Sequence, residues 1–202
     1  MIVKVAEEKD YARISKLRIE AYKKATGMKI SDNSFLFFEN DKRPGIVLFV
    51  EDESGNAIST LKGVKVTNIE ELEKVFDIKI HSDLEFPVFV FEKLATAFEF
   101  RRNGISRILR IIFFEYCLKS KIKNITLTAQ EDASRIKLLK KMGYKIEIAD
   151  ISQRKITSFD NSSRAVFAVL NCNSFERAIE VNKQDFDLKK FEFDESVKTL
   201  LS

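Results

Sequence analysis

Apolar and polar residues alternate in "IVKVA" near the start of the chain. From Glu7 to Lys24 the apolar positions instead recur at helical spacing through Tyr11, Ile14, Leu17, Ala21 and Ala25. The change of period predicts a strand followed by a helix. After Gly27 the stretch "MKISDNSFLFFEN" carries two signals: Ser31 or Asp32 can cap a short helix, and Phe35, Phe37 and Phe38 can fill a core or line a pocket. "GIVLFVED" and "NAISTLKGVKV" are strand runs joined by the turn signal "ESGN", which predicts an antiparallel pair. "TNIEELEKVF" offers Asn68 as a cap, Glu71 three residues on, and Leu72 and Phe76 on one face, so an inserted helix is expected there. "FPVFVFEKLATAF" places bulky residues at successive positions, the pattern of a central strand buried on both faces for much of its length.

From Gly104 to about Lys121 a helix is predicted, with Ile105, Ile108, Leu109, Ile112, Phe113, Tyr116 and Cys117 forming a broad apolar face that must lie on the sheet. "KNITLTAQ" reads as a strand, and "DASRIKLLKKMGY" as a second helix with Asp132 or Ser134 near its start and Gly143 as its stop. "YKIEIADI" and "RAVFAVLNC" add two strands, and the tail from Asn173 mixes helical and mobile character. No repeat, Pro-rich linker or low-complexity block interrupts this order. The expectation is one α/β domain over residues 1–172, with residues 173–202 an extension packed on it or partly mobile.

Composition narrows the chemistry. The chain has 202 residues, with 35 Lys and Arg against 31 Asp and Glu and a net charge of +4, which is a mixed surface rather than a nucleic-acid stripe. No aromatic stacking platform for a nucleic acid is apparent either. Anionic small ligands remain open. The single histidine, His81, has no Cys or His cluster near it, so neither a zinc site nor a triad with a histidine base can be assembled, and no metal is expected. Cys117 and Cys172 read as structural thiols of a reduced, cytoplasmic protein. The first residues mix acids and bases without a signal-like apolar stretch, and nowhere do 18 apolar residues run together, so membrane insertion is not expected.

Arg101, Arg102 and Arg107 surround Gly104 where the central strand turns into the long helix. The first amides of a helix lack intrahelical partners and carry about half a positive charge, so they can hold phosphate oxygens. Gly104 allows close approach, and the arginines add ionic contacts suited to a pyrophosphate. The competing interpretation is an ordinary strand-to-helix turn with exposed arginines. The lysine of a Walker loop and the three spaced glycines of a Rossmann fingerprint are both absent.

The run "LATAFEFRRNGISRILRIIFFEYCLKSKIKNITLTAQEDASRIKLLKKMGYKI" resembles the central region of the GNAT acyltransferase superfamily. The acyl-CoA pyrophosphate loop of that superfamily reads Arg or Gln, two residues, Gly, one residue, Gly or Ala; Arg101, Gly104 and Ser106 stand at those positions. The resemblance covers residues 1 to 172 and is strongest at 94 to 146. It implies a GNAT-like α/β (α+β) fold with a mixed, mostly antiparallel central sheet flanked by helices. It also implies an N-acyltransferase that moves an acyl group, acetyl in the first instance, from acetyl-CoA or another acyl-CoA to a small-molecule or peptide amine. Ala95, Thr96 and Ala97 would then offer backbone groups to the pantetheine arm. Arg101, Arg102, Asn103, Gly104, Ile105, Ser106 and Arg107 would surround the pyrophosphate, and Asp132 would fall where many members contact CoA, or would only cap a helix.

The same resemblance leaves the catalytic set incomplete. Many members place a glutamate base four or five residues before the "LA" pair, where Val90 and Phe89 stand here. Glu92, on the same strand face as Val90, is the candidate base, its pKa open to being raised by desolvation; otherwise it is an ion partner for Lys93 or another basic side chain, or an acceptor for a backbone amide. Leu139 stands where the family often has a thiol-protonating tyrosine, leaving Tyr116 and Tyr144 as substitutes or as core residues. "LRIEAY", "NAISTLKGVKV", "IEELEKVF" and "FEKLAT" look like the N-acyl amino acid synthases and acyl-homoserine lactone synthases, long-chain relatives that use acyl-CoA or acyl carrier protein. On that resemblance Phe35, Phe37, Phe38, Phe86, Phe89 and Phe91 would line an acyl pocket of this chain, or otherwise fill its core. A non-catalytic GNAT-shaped binding domain is the third alternative, and a second subunit could pair with the last strand or the tail to form a homodimer.

Overall fold

Glu7 ends the first strand, β1 (Ile2–Val5), because its amide donates to Asp10 Oδ2 at 2.9 Å while the Asp10 amide donates back to the Glu7 carbonyl at 2.9 Å. This reciprocal box winds residues 8–10 into a single 3-10 turn that leads into α1 (Tyr11–Thr26). A computed structural model describes residues 1–26, 36–37, 44–151 and 164–202. The alternatives for Ser31, Asp32, Phe35 and Phe38 lie outside the described residues.

Helix α1 buries Ile14, Leu17 and Ala21, the positions that its period selects. The next strands, β2 (Ile46–Glu51) and β3 (Ala57–Val66), form the expected antiparallel pair. Their turn is closed by Asp52, whose Oδ1 accepts from the amides of Ser54 and Asn56 at 2.9 and 2.8 Å. Helix α2 (Ile69–Phe76) starts at Asn68, whose Oδ1 accepts from the Glu71 amide at 2.9 Å, while Glu71 Oε2 reaches back to the Thr67 amide at 3.1 Å. Leu72 and Phe76 are its buried face.

The chain continues through β4 (Val88–Thr96), α3 (Ile105–Lys119), β5 (Asn124–Gln130), α4 (Ile136–Met142), β6 (Lys145–Ile148), β7 (Ala165–Asn171), α5 (Phe175–Lys183), β8 (Glu192–Phe193) and α6 (Glu195–Leu201). Asp132 and Ser134 do not cap α4. Backbone bonds from Ala133 to Gln130 and from Ile136 to Ala133 carry the chain off β5 in tight turns, so the helix begins after Arg135 with no side-chain cap. Gly143 does stop it, in the left-handed conformation at φ 102°.

The strands make one sheet in the order β6-β7-β5-β4-β3-β2-β1-β8. All neighbours are antiparallel except β4 with β5 and β1 with β8. Because β7 is paired on both sides, it cannot accept a second subunit as the sequence reading allowed; among the described residues the edges are β6 and β8. After β7 the tail packs α5 and α6 against α3 and adds β8 to β1, with Asp194 capping α6 at the Val197 amide. Among the described residues no helix is long and apolar enough to cross a membrane.

The larger core lies between the sheet and α3, where Phe89 and Phe91 of β4 meet Phe113 and Phe114 of α3 at ring separations of 5.2 to 5.7 Å. Gly63 makes this possible. A Cβ there would lie 2.2 Å from Phe89 Cζ and 3.1 Å from Phe113 Cζ. Gly63→Ala is therefore expected to destabilise the fold by about 1–3 kcal/mol, the usual range for overpacking a core, as read by urea denaturation. An unchanged midpoint would mean that the Phe89 ring moves aside at no cost.

Candidate functional site

Strands β4 and β5 pair only from Val88–Val90 against Asn124–Thr126. Beyond Val90 the ladder stops, β4 stays with β3 and β5 stays with β7, so a gap opens between two parallel strands. A bulge in β4 sits just past this point. Lys62 faces Glu92 and Thr60 faces Ala95, so two steps on β3 match three on β4. The extra residue is taken up at Lys93, which adopts φ 53°.

The bulge also breaks the alternation of side chains. Phe91 and Leu94 belong to the α3 side of the sheet, whereas Ala95 packs with Leu17 and Ala21 of α1. Between them, Glu92 and Lys93 both lie near Arg18 of α1. Glu92 Oε2 stands 3.8 Å from Lys62 Nζ, and Lys62 is only 2% exposed, so this carboxylate has a buried cation across the sheet. Arg18 of α1 is fully buried beside this group, and burial lowers its pKa to about 10 against the opposing pull of Tyr22 and Glu92. Burial first, and then the Arg18 guanidinium, lower Lys93 to about 8. Burial raises the Tyr22 hydroxyl.

At the far end of β4 the chain turns through residues 97–104 into α3. The Ala97 amide donates to Ile58 O at 2.9 Å, and Phe100 and Arg101 close a 3-10 turn on Ala97 and Phe98. Arg101 is spent on structure: its Nε donates to Thr96 O at 3.2 Å, its Nη2 to Ala21 O at 2.8 Å, and it lies 5.6 Å from the Phe98 ring centroid. The Ala95 carbonyl takes the Ser59 hydroxyl at 3.2 Å. The three residues 95–97 thus already commit a carbonyl, a carbonyl and an amide to the protein.

Arg102 and Gly104 are both left-handed, at φ 66° and 76°. The two reversals leave the amides of Arg102, Asn103, Gly104, Ile105 and Ser106 with no acceptor among the described residues, and the next amide after Arg101 to be engaged is that of Arg107, on Gly104 O at 2.7 Å. Arg102 and Asn103 are exposed and Gly104 and Ser106 half-buried, while Ile105 is buried, so the row of donors opens to solvent at its Arg102 end. They lie at the positive end of the 15-residue α3. The tail borders the same loop: a Cβ on Gly104 would lie 2.9 Å from Phe186 Cδ2, and Arg107 Nη1 donates to Gln184 O at 2.7 Å. Asp132 is exposed beyond β5.

No protein-family model and no curated protein matches the sequence. Solved structures do match it. The chain is similar to Naa20 from Chaetomium thermophilum in complex with a bisubstrate analogue, with 19% identity, 97% of this chain and 98% of that one covered, and a TM-score of 0.59. The ribosomal-protein-alanine N-acetyltransferase from Brucella melitensis matches with 15% identity, 85% and 99% coverage and a TM-score of 0.59. BjaI, a CoA-dependent acyl-homoserine lactone synthase solved with SAM and isopentyl-CoA, matches with 8% identity, 98% and 97% coverage and a TM-score of 0.61. The chain has the GNAT fold.

Within the GNAT fold, several sequence expectations change. Phe89 and Phe91 lie in the packed core on the α3 side, 1% and 7% exposed, so they do not line an acyl pocket. Phe86 packs against the smaller core of α2. Tyr116 packs at a tilt on Phe89 at 5.5 Å, and Tyr144 is 5% exposed with its hydroxyl pushed up by burial and without a hydrogen-bond partner among the described residues. Tyr144 is a core residue, and Tyr116 is partly buried against that core. Leu139 is buried. Cys117 is buried with its thiol raised by burial, and both cysteines are free. The sequence reading missed Arg18 and Lys62 on the α1 side and Phe186 over the loop, and named Lys93 only as an ion partner for Glu92. Lys62 was visible as a lysine inside an apolar strand; the others depend on the bulge and on where the tail folds.

Proposed function

We propose that this protein is an N-acyltransferase that moves an acyl group, acetyl in the first instance, from acyl-CoA to an amine by direct attack. The observation that carries this reading is the row of five amides from Arg102 to Ser106, unused by the described protein and held at the start of α3. They suit a diphosphate. Arg102 adds a charge at the exposed lip of the loop, while Arg107, fixed to Gln184 O, closes its other side. An arm hung from these amides and running back along β4 enters the gap where β4 and β5 part, and brings its thioester toward the bulge. The fold neighbours include N-acetyltransferases and a CoA-dependent synthase, which supports the same donor class.

Glu92 is the base in this reading: it lies past the parting of the strands, on the α1 side, and takes the proton that an acceptor ammonium must lose before its nitrogen can attack. Ala95 and Ala97 keep the channel wall small, and Thr96 anchors Arg101 so that the loop cannot drift from the strand. Asp132 stands at the start of the turns that lead into α4, on the far side of the gap.

The test is calorimetry with acetyl-CoA. Wild-type protein is expected to bind, and Arg102→Glu to bind at least tenfold more weakly, since losing one charge-assisted contact and adding a like charge amounts to about 1.5–3 kcal/mol. An affinity unchanged by this reversal would remove the loop from the site.

A further inference from the structure

We propose that Lys93 is the general acid that protonates the departing CoA thiolate. This rests on the acyltransferase reading above, and it assigns the role left open by Leu139, which carries no proton.

Three placements support it. First, the bulge places the half-buried Lys93 near Arg18 of α1, the same guanidinium on which Glu92 acts. The two groups that must handle protons in an acyl transfer are thereby consecutive in the chain and border one buried cation. Second, the bulge follows directly on the last β4–β5 pair, Val90 with Thr126, so it stands at the gap that the carrier arm enters. Third, of the two tyrosines that the sequence offered as the acid, Tyr144 lies in the core and Tyr116 packs at a tilt on Phe89, while burial raises the hydroxyl of Tyr22, the tyrosine beside Arg18, away from the range of a thiol.

The acid strength agrees with the task. An acid pKa of about 8 lies in the range of a thiol, where proton transfer to sulfur is close to balanced. Among the described residues, the charged and titratable groups around Lys93 are Arg18 and Tyr22 on α1, Lys62 on β3 and Glu92 on β4, with Arg135 acting on Tyr22 from the start of α4. Arg18 and burial favour releasing the Lys93 proton.

The protons balance as follows. The acceptor ammonium gives one proton to Glu92, and the freed nitrogen attacks the thioester carbon. The C–N bond forms as the C–S bond breaks, the C–S electron pair leaves on sulfur, and Lys93 Nζ supplies its proton. The second proton of the attacking nitrogen, shed as the amide forms, returns Lys93 to ammonium. Glu92 delivers its proton to solvent, so one proton is released per turnover.

The experiment measures thiol release from acetyl-CoA with hydroxylamine as acceptor, because this amine is uncharged above neutral pH and needs no base. Wild type, Lys93→Met and Lys93→Arg are compared from pH 6 to 10, with calorimetry on acetyl-CoA for each. The acid must be protonated, so the wild-type rate is expected to hold below about pH 8 and to fall above it. Both variants are expected to bind acetyl-CoA like wild type and to turn over about 100-fold or more slowly, with no fall near pH 8. Arginine keeps the charge but not the dissociable proton, so a merely structural cation would be rescued by it. A wild-type rate or an unchanged pH limb in Lys93→Arg overturns the proposal, as does wild-type protein that binds acetyl-CoA and releases no thiol. Failure of wild type to bind acetyl-CoA at all would instead bring down the transferase reading, and this proposal with it.

Discussion

Gly104→Ala is expected to lower acetyl-CoA affinity by about 100-fold, close to 3 kcal/mol, while the fold survives. Two effects act together. The residue sits at φ 76°, where a side chain costs about 1–2 kcal/mol, and its new methyl group would lie 2.9 and 3.0 Å from two atoms of the Phe186 ring. That ring is stacked on Phe191 at 5.4 Å, so its retreat disturbs the tail rather than a loose side chain. Whichever way the strain is relieved, by turning the backbone or by shifting the ring, the amides on either side of residue 104 lose their common aim. Pairing Gly104→Ala with Phe186→Ala separates the two contributions. The double variant is expected to recover part of the lost thermal stability but little of the affinity, because the φ strain and the methyl group over the amides remain. Wild-type affinity in Gly104→Ala would mean that the phosphates rest elsewhere.

The order of strands and helices was largely legible because each element carries its own period. The helical spacing from Tyr11 and the Asn68–Glu71 box are both one-dimensional signals that survive without tertiary information. The turn before α3 was legible for the same reason, and Gly104 does take φ 76° where the chain enters the long apolar helix. What could not be read is set by contacts between distant segments. The bulge at Lys93 is defined by the register of β4 against β3, which no alternation within β4 reveals. The sequence therefore shows Glu92 with Lys93 or another basic side chain as its partner, and only the register against β3 picks out Lys62. Arg101 has the residue type that a phosphate site wants, yet its guanidinium reaches Ala21 O, 80 positions away, a bond that sequence cannot announce. The phenylalanines show the same limit. A ring that lines a pocket and a ring that fills a core have identical local patterns, and only the presence of Phe113 and Phe114 opposite Phe89 and Phe91 decides for the core.

Glu92→Gln is expected to reduce acyl transfer to charged amines by 10²–10⁴-fold with acetyl-CoA affinity retained, the range for removing a general base. The ion pair with Lys62 complicates this variant, because the same change takes away the carboxylate 3.8 Å from a cation that is 2% exposed. Breaking a fully buried pair costs about 3–5 kcal/mol; with a long contact and Glu92 14% exposed, about 2 kcal/mol is the expected loss here. Lower activity could then reflect a disturbed sheet instead of a missing base. Lys62→Met in the Glu92→Gln background resolves the two, since an apolar residue of similar length removes the buried charge along with its partner. Stability in urea is expected to return to within about 1 kcal/mol of wild type. Turnover is expected to stay at the level of Glu92→Gln, because repairing the sheet does not restore a proton acceptor. Recovery of turnover together with stability would show that Glu92 serves only to hold Lys62, and the base would have to be sought in another group bordering the α1 side of β4.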